Sequence, residues 1–327
     1  MASSHHPSET SASGEFQRQE DVFREWISND GSTPYPAARD RYYLYVSLAC
    51  PWASRTIIFR KLKGLEDAVG MTIVDPFRDD KGWAFRNPDL SKPGSDLKKL
   101  DEFESTDPIN HFQYLSEAYK ATDPKFDARV TVPVLWDKEK KRIVNNCEDD
   151  ICIMFNRVFN EFAKQKGVDL FPRDIEAEHN KLTDFLYDNI NNGVYRAGFS
   201  TRQQVYERAC KRLFDALDEI EKRLTKSRYL FGNRIVEADW RLFCTLIRFD
   251  VVYHGHFKCN LRRIIDYQNL HGYLLDLYQQ PGIAETVSID HIKRHYYMTH
   301  EEINPTRIVP LGPVVDLNKP HGRDRLS

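Results

Sequence analysis

The stretch Arg41-Tyr42-Tyr43-Leu44-Tyr45-Val46-Ser47 is aromatic and β-branched, which is strand chemistry. Three residues later the chain turns through Cys50-Pro51 into a segment whose apolar residues Ile57, Ile58, Leu62 and Leu65 recur at helical spacing. A proline suits the first helical position, so Cys50 falls at a strand-to-helix corner, and Gly64 supplies the stop. Met71-Thr72-Ile73-Val74-Asp75 is a second strand, closing a β-α-β unit. From Pro76 to about residue 100 no period is sustained, and a helix is expected over 108–120. Two further strands follow, Arg129-Val130-Thr131-Val132-Pro133-Val134-Leu135-Trp136 and Arg142-Ile143-Val144, joined by a charged, solvated hairpin tip. Asn146 is the expected cap of a helix reaching Phe159, with Asp149 and Asp150 at its positive end.

After Gly167 strand chemistry disappears. Residues 174–192, 201–224, 237–252, 268–279 and 282–289 carry apolar residues at helical spacing, as in the stripe Leu213, Leu217, Ile220 and Leu224. The expected fold class is therefore an α/β N-terminal domain, β-α-β-α-β-β-α over 42–160, followed by an all-α domain over 168–303 and a proline-rich tail over 304–327. Residues 1–41 read as an N-terminal extension. Its start, to residue 15, reads as a disordered leader without the apolar region of a signal peptide. Its remainder is expected over the first domain, on the anchors Phe16, Phe23, Trp26 and Ile27.

Composition narrows the function classes. The chain has 327 residues, enough for two domains, with 41% hydrophobic and 29% charged residues. Lys and Arg total 47 against 49 for Asp and Glu, a net charge of −2, so no global field favours nucleic acid or an anionic membrane. No apolar stretch approaches the ~20 residues of a membrane span. Six cysteines without a signal peptide fit reduced cytoplasmic thiols rather than a disulfide framework.

Of the six, Cys50 has the chemistry of a nucleophile. A thiol at a helix N-terminus faces unsatisfied backbone N–H groups and the positive end of the helix dipole, and both favour the thiolate. Arg55, one turn on, is expected to add positive charge. Cys152, Cys210 and Cys244 lie within amphipathic helices and read as core. Position 53 is alanine, so the motif is Cys-Pro-Trp-Ala and not Cys-x-x-Cys. A mixed disulfide formed at Cys50 must be resolved by an external thiol, and glutathione is the plausible one in a reduced compartment. Val132-Pro133, at the start of a strand, is where a cis-proline turn would face that cysteine; a trans proline opening an edge strand is the other reading.

These residues, with Gly82-Trp83-x-Phe85, Thr131-Val132-Pro133-Val134-Leu135-Trp136-Asp137-Lys138, Val194-Tyr195-Arg196-Ala197-Gly198-Phe199, Ile247-Arg248-Phe249-Asp250 and His256-Phe257-Lys258-Cys259-Asn260, closely resemble the glutathionyl-hydroquinone reductases. That family is the Xi class of glutathione transferases, related to the Omega class, and the resemblance covers nearly everything after residue 15. It implies the glutathione transferase fold, a thioredoxin-like domain followed by a helical one. It implies glutathione as co-substrate, no metal, and the family's usual homodimer. It also implies that Cys50 attacks the glutathionyl sulfur of the substrate and releases the hydroquinone. Carried over by motif, Trp83 and Val132 contact glutathione, Val132 through its backbone. Tyr195 and Tyr253 hold the aromatic ring.

The chain departs from the family at glutathione's γ-glutamyl end. Where the family has Asn-Glu-Ser-Ser-Glu-Ile, this chain has Asn146-Cys147-Glu148-Asp149-Asp150-Ile151. The glutathione-binding pair thus becomes Cys147 and Glu148, a weak acceptor and an anion. Glu148, Asp149 and Asp150 are expected to repel the ligand's carboxylate. Ser54 replaces a histidine, Leu115 an arginine, and Arg307 a glycine of the family pattern. Two functions therefore stand: a glutathione-dependent reductase of aromatic conjugates, or a divergent paralogue that binds aromatic ligands or partners. Cys147 as an internal resolving thiol for Cys50 is a remoter third. His291 and His295, four apart, lack a third metal ligand and read as packing, and His254 and His256 could only tune the tyrosine site.

Overall fold

A computed structural model of the chain describes residues 9, 11, 13–86 and 105–326. The chain divides into two compact units, one spanning Asp21–Lys166 and the other running from Gly167 onward together with the described residues between 9 and 20.

The first unit is built on a four-stranded sheet in the order β2-β1-β3-β4, with β1 Tyr42–Val46, β2 Val69–Ile73, β3 Val134–Asp137 and β4 Arg142–Asn145. β1 pairs with β2 in parallel and with β3 antiparallel, and β3 pairs with β4 antiparallel. All five residues of β1 are buried, which is why it reads as continuously apolar and aromatic rather than alternating. Helix α1, Pro51–Lys63, packs with α3, Glu148–Arg157, while α2, Leu115–Thr122, packs on β4. The element order is the expected one. Gly64 ends α1 at φ 62, in the left-handed region a C-cap glycine occupies, and its N–H donates to the Lys61 carbonyl.

Local boundaries differ from the sequence expectations for identifiable reasons. The strand expected from Arg129 begins only at Val134, after Pro133, which offers no N–H to a ladder. The residue capping α3 is Cys147, not Asn146. Asn146 spends its amide elsewhere: it donates to Tyr119 Oη and Thr131 Oγ1 and accepts from the N–H of Phe23. Most of the expected loop after residue 86 lies outside the described residues.

The second unit contains six α-helices among the described residues: α4 Glu176–Leu186, α5 Gly193–Gly198, α6 Gln203–Arg223, α7 Glu237–Arg248, α8 Gln268–Tyr278 and α9 Ile289–Thr299. Wider π-helical turns extend α4 over Tyr187–Asn191 and α7 over Phe249–Tyr253. Leu213, Leu217 and Ile220 form the buried stripe of α6. The helix expected over 282–289 is instead a single tight turn, Ala284–Thr286. The true helix starts at Ile289, where Ser288 accepts the N–H of His291 as its cap. Phe16 was expected as an anchor over the first domain, but it packs in this unit, its ring 6.1 Å from Tyr195 and 5.5 Å from Phe199. Phe23 is an anchor of the first unit, 5.7 Å from Tyr119. Among the described residues no helix is long and apolar enough to cross a membrane.

Candidate active site

Cys50 occupies the N-cap of α1 in an extended conformation, φ −78 and ψ 122, with Pro51 as the first helical residue. β1 delivers it there through a turn in which the Cys50 N–H donates to the Ser47 carbonyl at 3.2 Å, and its own carbonyl accepts from Ser54. The Cys50 thiol lies 3.6 Å from the carbonyl oxygen of Val132, the residue before the cis proline. Of the six cysteines, Cys50 alone is part-exposed and the other five are buried and unpaired in disulfides. The arrangement offers a reachable sulfur at a helix N-terminus beside a backbone shelf. Trp83, also assigned to glutathione by resemblance, is buried after β2, and its carbonyl accepts the N–H of Leu115 at the start of α2. Leu115, where the family pattern has arginine, is fully buried core.

Ion pairs surround the start of α3. Arg55, expected to add positive charge near Cys50, is 2% exposed, and its guanidinium pairs with Asp149 at 2.5 Å and Glu148 at 3.2 Å. Asp150 is gripped by Arg24 through two bonds of 2.6 and 2.7 Å. The three carboxylates of the first turn of α3 thus share two guanidiniums, which offsets part of the repulsion expected toward an incoming carboxylate. Cys147 is buried, and burial first, then the Glu148 charge, pushes its thiol up to about 12. A thiol so far from ionising is a poor nucleophile, which counts against Cys147 as the resolving thiol.

Sequence reasoning missed Asp21. Its carboxylate, the Cys147 sulfur and the Glu148 carboxylate lie within 4.8 Å of one another, the one such trio of possible cation ligands among the described residues. With the thiol protonated and two guanidiniums adjoining, the trio offers carboxylate acceptors rather than a thiolate to a cation. Asp21 carries no motif of its own, and nothing in the sequence links it to residues more than a hundred positions away.

The second unit gathers an aromatic cluster. Tyr195 from α5, Tyr253 at the end of the turn following α7, and Tyr296 from α9 join through their hydroxyls: Tyr195 to Tyr296 at 2.6 Å and Tyr296 to Tyr253 at 3.0 Å. Tyr253 and Tyr296 are buried, and burial holds both phenols well above their ordinary range. Phe257 lies parallel to Tyr253 at 5.5 Å and edge-on to Tyr195 at 5.5 Å. Position 198 must be glycine for this packing, since a Cβ there would fall 2.2 Å from the Phe257 ring. Tyr296 was not singled out in the sequence, although the helical spacing of α9 turns it inward with His291 and Ile292. His256 is buried against this cluster, 3.1 Å from His300, and burial pushes it down to about 4. His291 and His295 are both buried, and the His295 ring packs 5.2 Å from that of Tyr296.

Comparison with known proteins agrees with this layout. Residues 49–157 match the family model for the glutathione S-transferase N-terminal domain and residues 203–275 that for the C-terminal domain. The chain is 46% identical to glutathionyl-hydroquinone reductase YqjG of Escherichia coli over 96% of its own length and 94% of the relative's. It is 42% identical to glutathionyl-hydroquinone reductase PcpF of Sphingobium chlorophenolicum, over 94% of this chain and 92% of the relative. The glutathione-bound structure of YqjG superposes with a TM-score of 0.86, covering 93% of this chain and 96% of that one. The Xi-class enzyme of Phanerochaete chrysosporium superposes with a TM-score of 0.84 at 44% identity, covering 91% and 98%. With its thioredoxin-like unit, its helical unit and these relatives along nearly its whole length, the chain belongs to the glutathionyl-hydroquinone reductase family, the Xi class of glutathione transferases.

Proposed function

We propose that the protein is a glutathione-dependent thiol reductase acting on glutathionyl-hydroquinones or related aromatic glutathione conjugates, with Cys50 as its nucleophile. The observation that carries this reading is the placement of Cys50: a part-exposed thiol at the N-cap of α1, beside the Val132 carbonyl, with no second thiol at position 53. The Cys50 thiolate attacks the sulfur that joins glutathione to the aromatic ring. A Cys50–glutathione disulfide forms, the carbon–sulfur bond breaks, and its electron pair goes to the ring, which takes up a proton and leaves as the hydroquinone. The thiolate of a second glutathione then attacks the mixed disulfide, releasing glutathione disulfide and regenerating Cys50. Trp83 and Val132 serve glutathione, and Tyr195 and Tyr253, joined by Tyr296, hold the ring through their faces and hydroxyls.

The altered γ-glutamyl end is served by a rewired set. In this reading Asp21 and Glu148 accept from the ligand's ammonium, doing together what a glutamate at 147 does elsewhere in the family. The N–H groups at the start of α3, with their acidic neighbours paired with Arg24 and Arg55, receive the carboxylate. Its five buried, reduced thiols suit a cytoplasmic protein, and the family resemblance extends to a homodimer, which light scattering of the purified protein checks.

The test is turnover of a glutathionyl-hydroquinone with glutathione, by wild type and Cys50→Ser. The reading expects wild-type turnover and at least a thousandfold loss in the variant. Wild type without turnover, or a variant as active as wild type, rejects it in favour of a ligand-binding paralogue or another nucleophile.

A further inference from the structure

Arg18 is a cation of the tyrosine cluster that neither the sequence motifs nor the proposed chemistry uses. Arg18, in the N-terminal segment that packs with the helical unit, holds its guanidinium carbon 4.9 Å from the centre of the Tyr195 ring and 5.3 Å from that of Phe16. Its Nε donates to Asn192 Oδ1 at 2.8 Å, and Asn192 is itself buried in the turn before α5. The cation is therefore fixed over one face of the phenol whose hydroxyl begins the chain Tyr195–Tyr296–Tyr253.

That placement has a consequence for a reaction in which the leaving ring must gain a proton. A hydroxyl of the chain that supplies it is left negative, and the charge spreads along the two hydrogen bonds. A guanidinium over the face of a phenol attracts the ring's electron density, and attracts it more strongly once the phenol oxygen is negative. Arg18 comes from the N-terminal segment, Tyr253 from the turn after α7 and Tyr296 from α9. Arg248, buried at the end of α7, acts on Tyr253 and Tyr296, and His300 lies 5.2 Å from the neighbouring Phe199 ring. Arg18 is the cation seated on the face of the Tyr195 ring.

We propose that Arg18 is a positioning residue of the aromatic site, acting through Tyr195: its guanidinium stabilises the negative charge that the three-hydroxyl chain takes up when it gives a proton to the departing ring. The atoms balance within the reaction given above, since the chain's proton goes to the ring and is recovered from solvent after release. This inference rests on the reductase reading for its catalytic consequence, and on geometry alone for the stabilisation of a phenolate.

Two measurements separate the parts. In the first, kcat and KM for a glutathionyl-hydroquinone are compared for wild type, Arg18→Met, Arg18→Lys, Tyr195→Phe and the Arg18→Met/Tyr195→Phe double variant, each with its melting temperature. The expected result is a kcat about tenfold lower in Arg18→Met with KM for glutathione unchanged, and partial recovery in Arg18→Lys. In the Tyr195→Phe background Arg18→Met should have almost no further effect. In the second, which needs no turnover, 4-nitrophenol is bound and the yellow phenolate band recorded. Wild type and Arg18→Lys should hold more of the probe as phenolate than Arg18→Met at the same pH. If wild type shows no turnover but the probe result holds, the reductase reading falls and the role of Arg18 in stabilising phenolate stands. If turnover is normal, an equal effect of Arg18→Met with and without Tyr195, or an unchanged probe spectrum, overturns the inference.

Discussion

At the scale of single residues, placement rather than composition decides chemistry. Six cysteines of one chain differ by where the fold puts them: Cys50 is part-exposed at a helix N-terminus, and Cys147, also at a helix N-cap, is buried and pushed up to about 12. Cys147 occupies the position where the family has a ligand-gripping glutamate. Asp21, far away in sequence, brings a carboxylate within 4.8 Å of the Cys147 sulfur. If Asp21 takes the ammonium of glutathione, Asp21→Asn should raise KM for glutathione about tenfold, the size of one charge-assisted hydrogen bond, with kcat little changed. Steady-state titration with glutathione at saturating aromatic substrate checks this, and an unchanged KM would assign the ammonium to Glu148 alone.

Elements show how far sequence carries and where it stops. The strand–Cys–Pro–helix corner was legible because each of its signals, β-branched run, N1 proline and stop glycine, is local. So were β1, β2 and the body of α6 and α7. What local signals could not give was partnership at long range. Only folding shows that Arg55, one turn from Cys50, pairs with Glu148 and Asp149 on α3. Tyr296 and Arg18 belong to the aromatic cluster through packing between segments more than a hundred residues apart. Departures also acquire reasons: Arg307 stands at φ 55, a left-handed backbone that the family's glycine adopts without strain, and it answers with an ion pair to Glu301. The N-terminus of α7 shows what a well-placed cap is worth. Asp239 is buried and accepts from the N–H groups of Leu230 and Val236, both at 2.9 Å, and from the Tyr273 hydroxyl at 2.8 Å. Burial raises its carboxyl to about 6 even against these three donors. Asp239→Ala strands the donors in the core and should cost about 3 kcal/mol, read as a lower denaturant midpoint. A loss below ~1 kcal/mol would mean water replaces the carboxylate.

For the molecule as a whole, the tail over 304–327 is part of the architecture of the helical unit. Arg323 is 3% exposed and its guanidinium donates to the carbonyls of Leu224, Ser227, Arg228 and Asn269, tying the tail to the end of α6 and the start of α8. Arg323→Ala should lower stability by about 3 kcal/mol while leaving chemistry at Cys50, in the other unit, unimpaired at low temperature. Calorimetry and turnover measured on the same sample check both halves. A chain that unites a part-exposed thiol, an ion-paired acidic helix start and a chain of three tyrosine hydroxyls has the parts for two-step thiol exchange on an aromatic conjugate. The most direct test of that claim is to mix the reduced protein with a glutathionyl-hydroquinone in the absence of free glutathione and record the intact mass with peptide mapping. The account predicts the gain of one glutathionyl group, on Cys50, with release of one equivalent of hydroquinone, both abolished in Cys50→Ser. No mass gain, or a glutathionyl group carried on any of the other five cysteines, would contradict it.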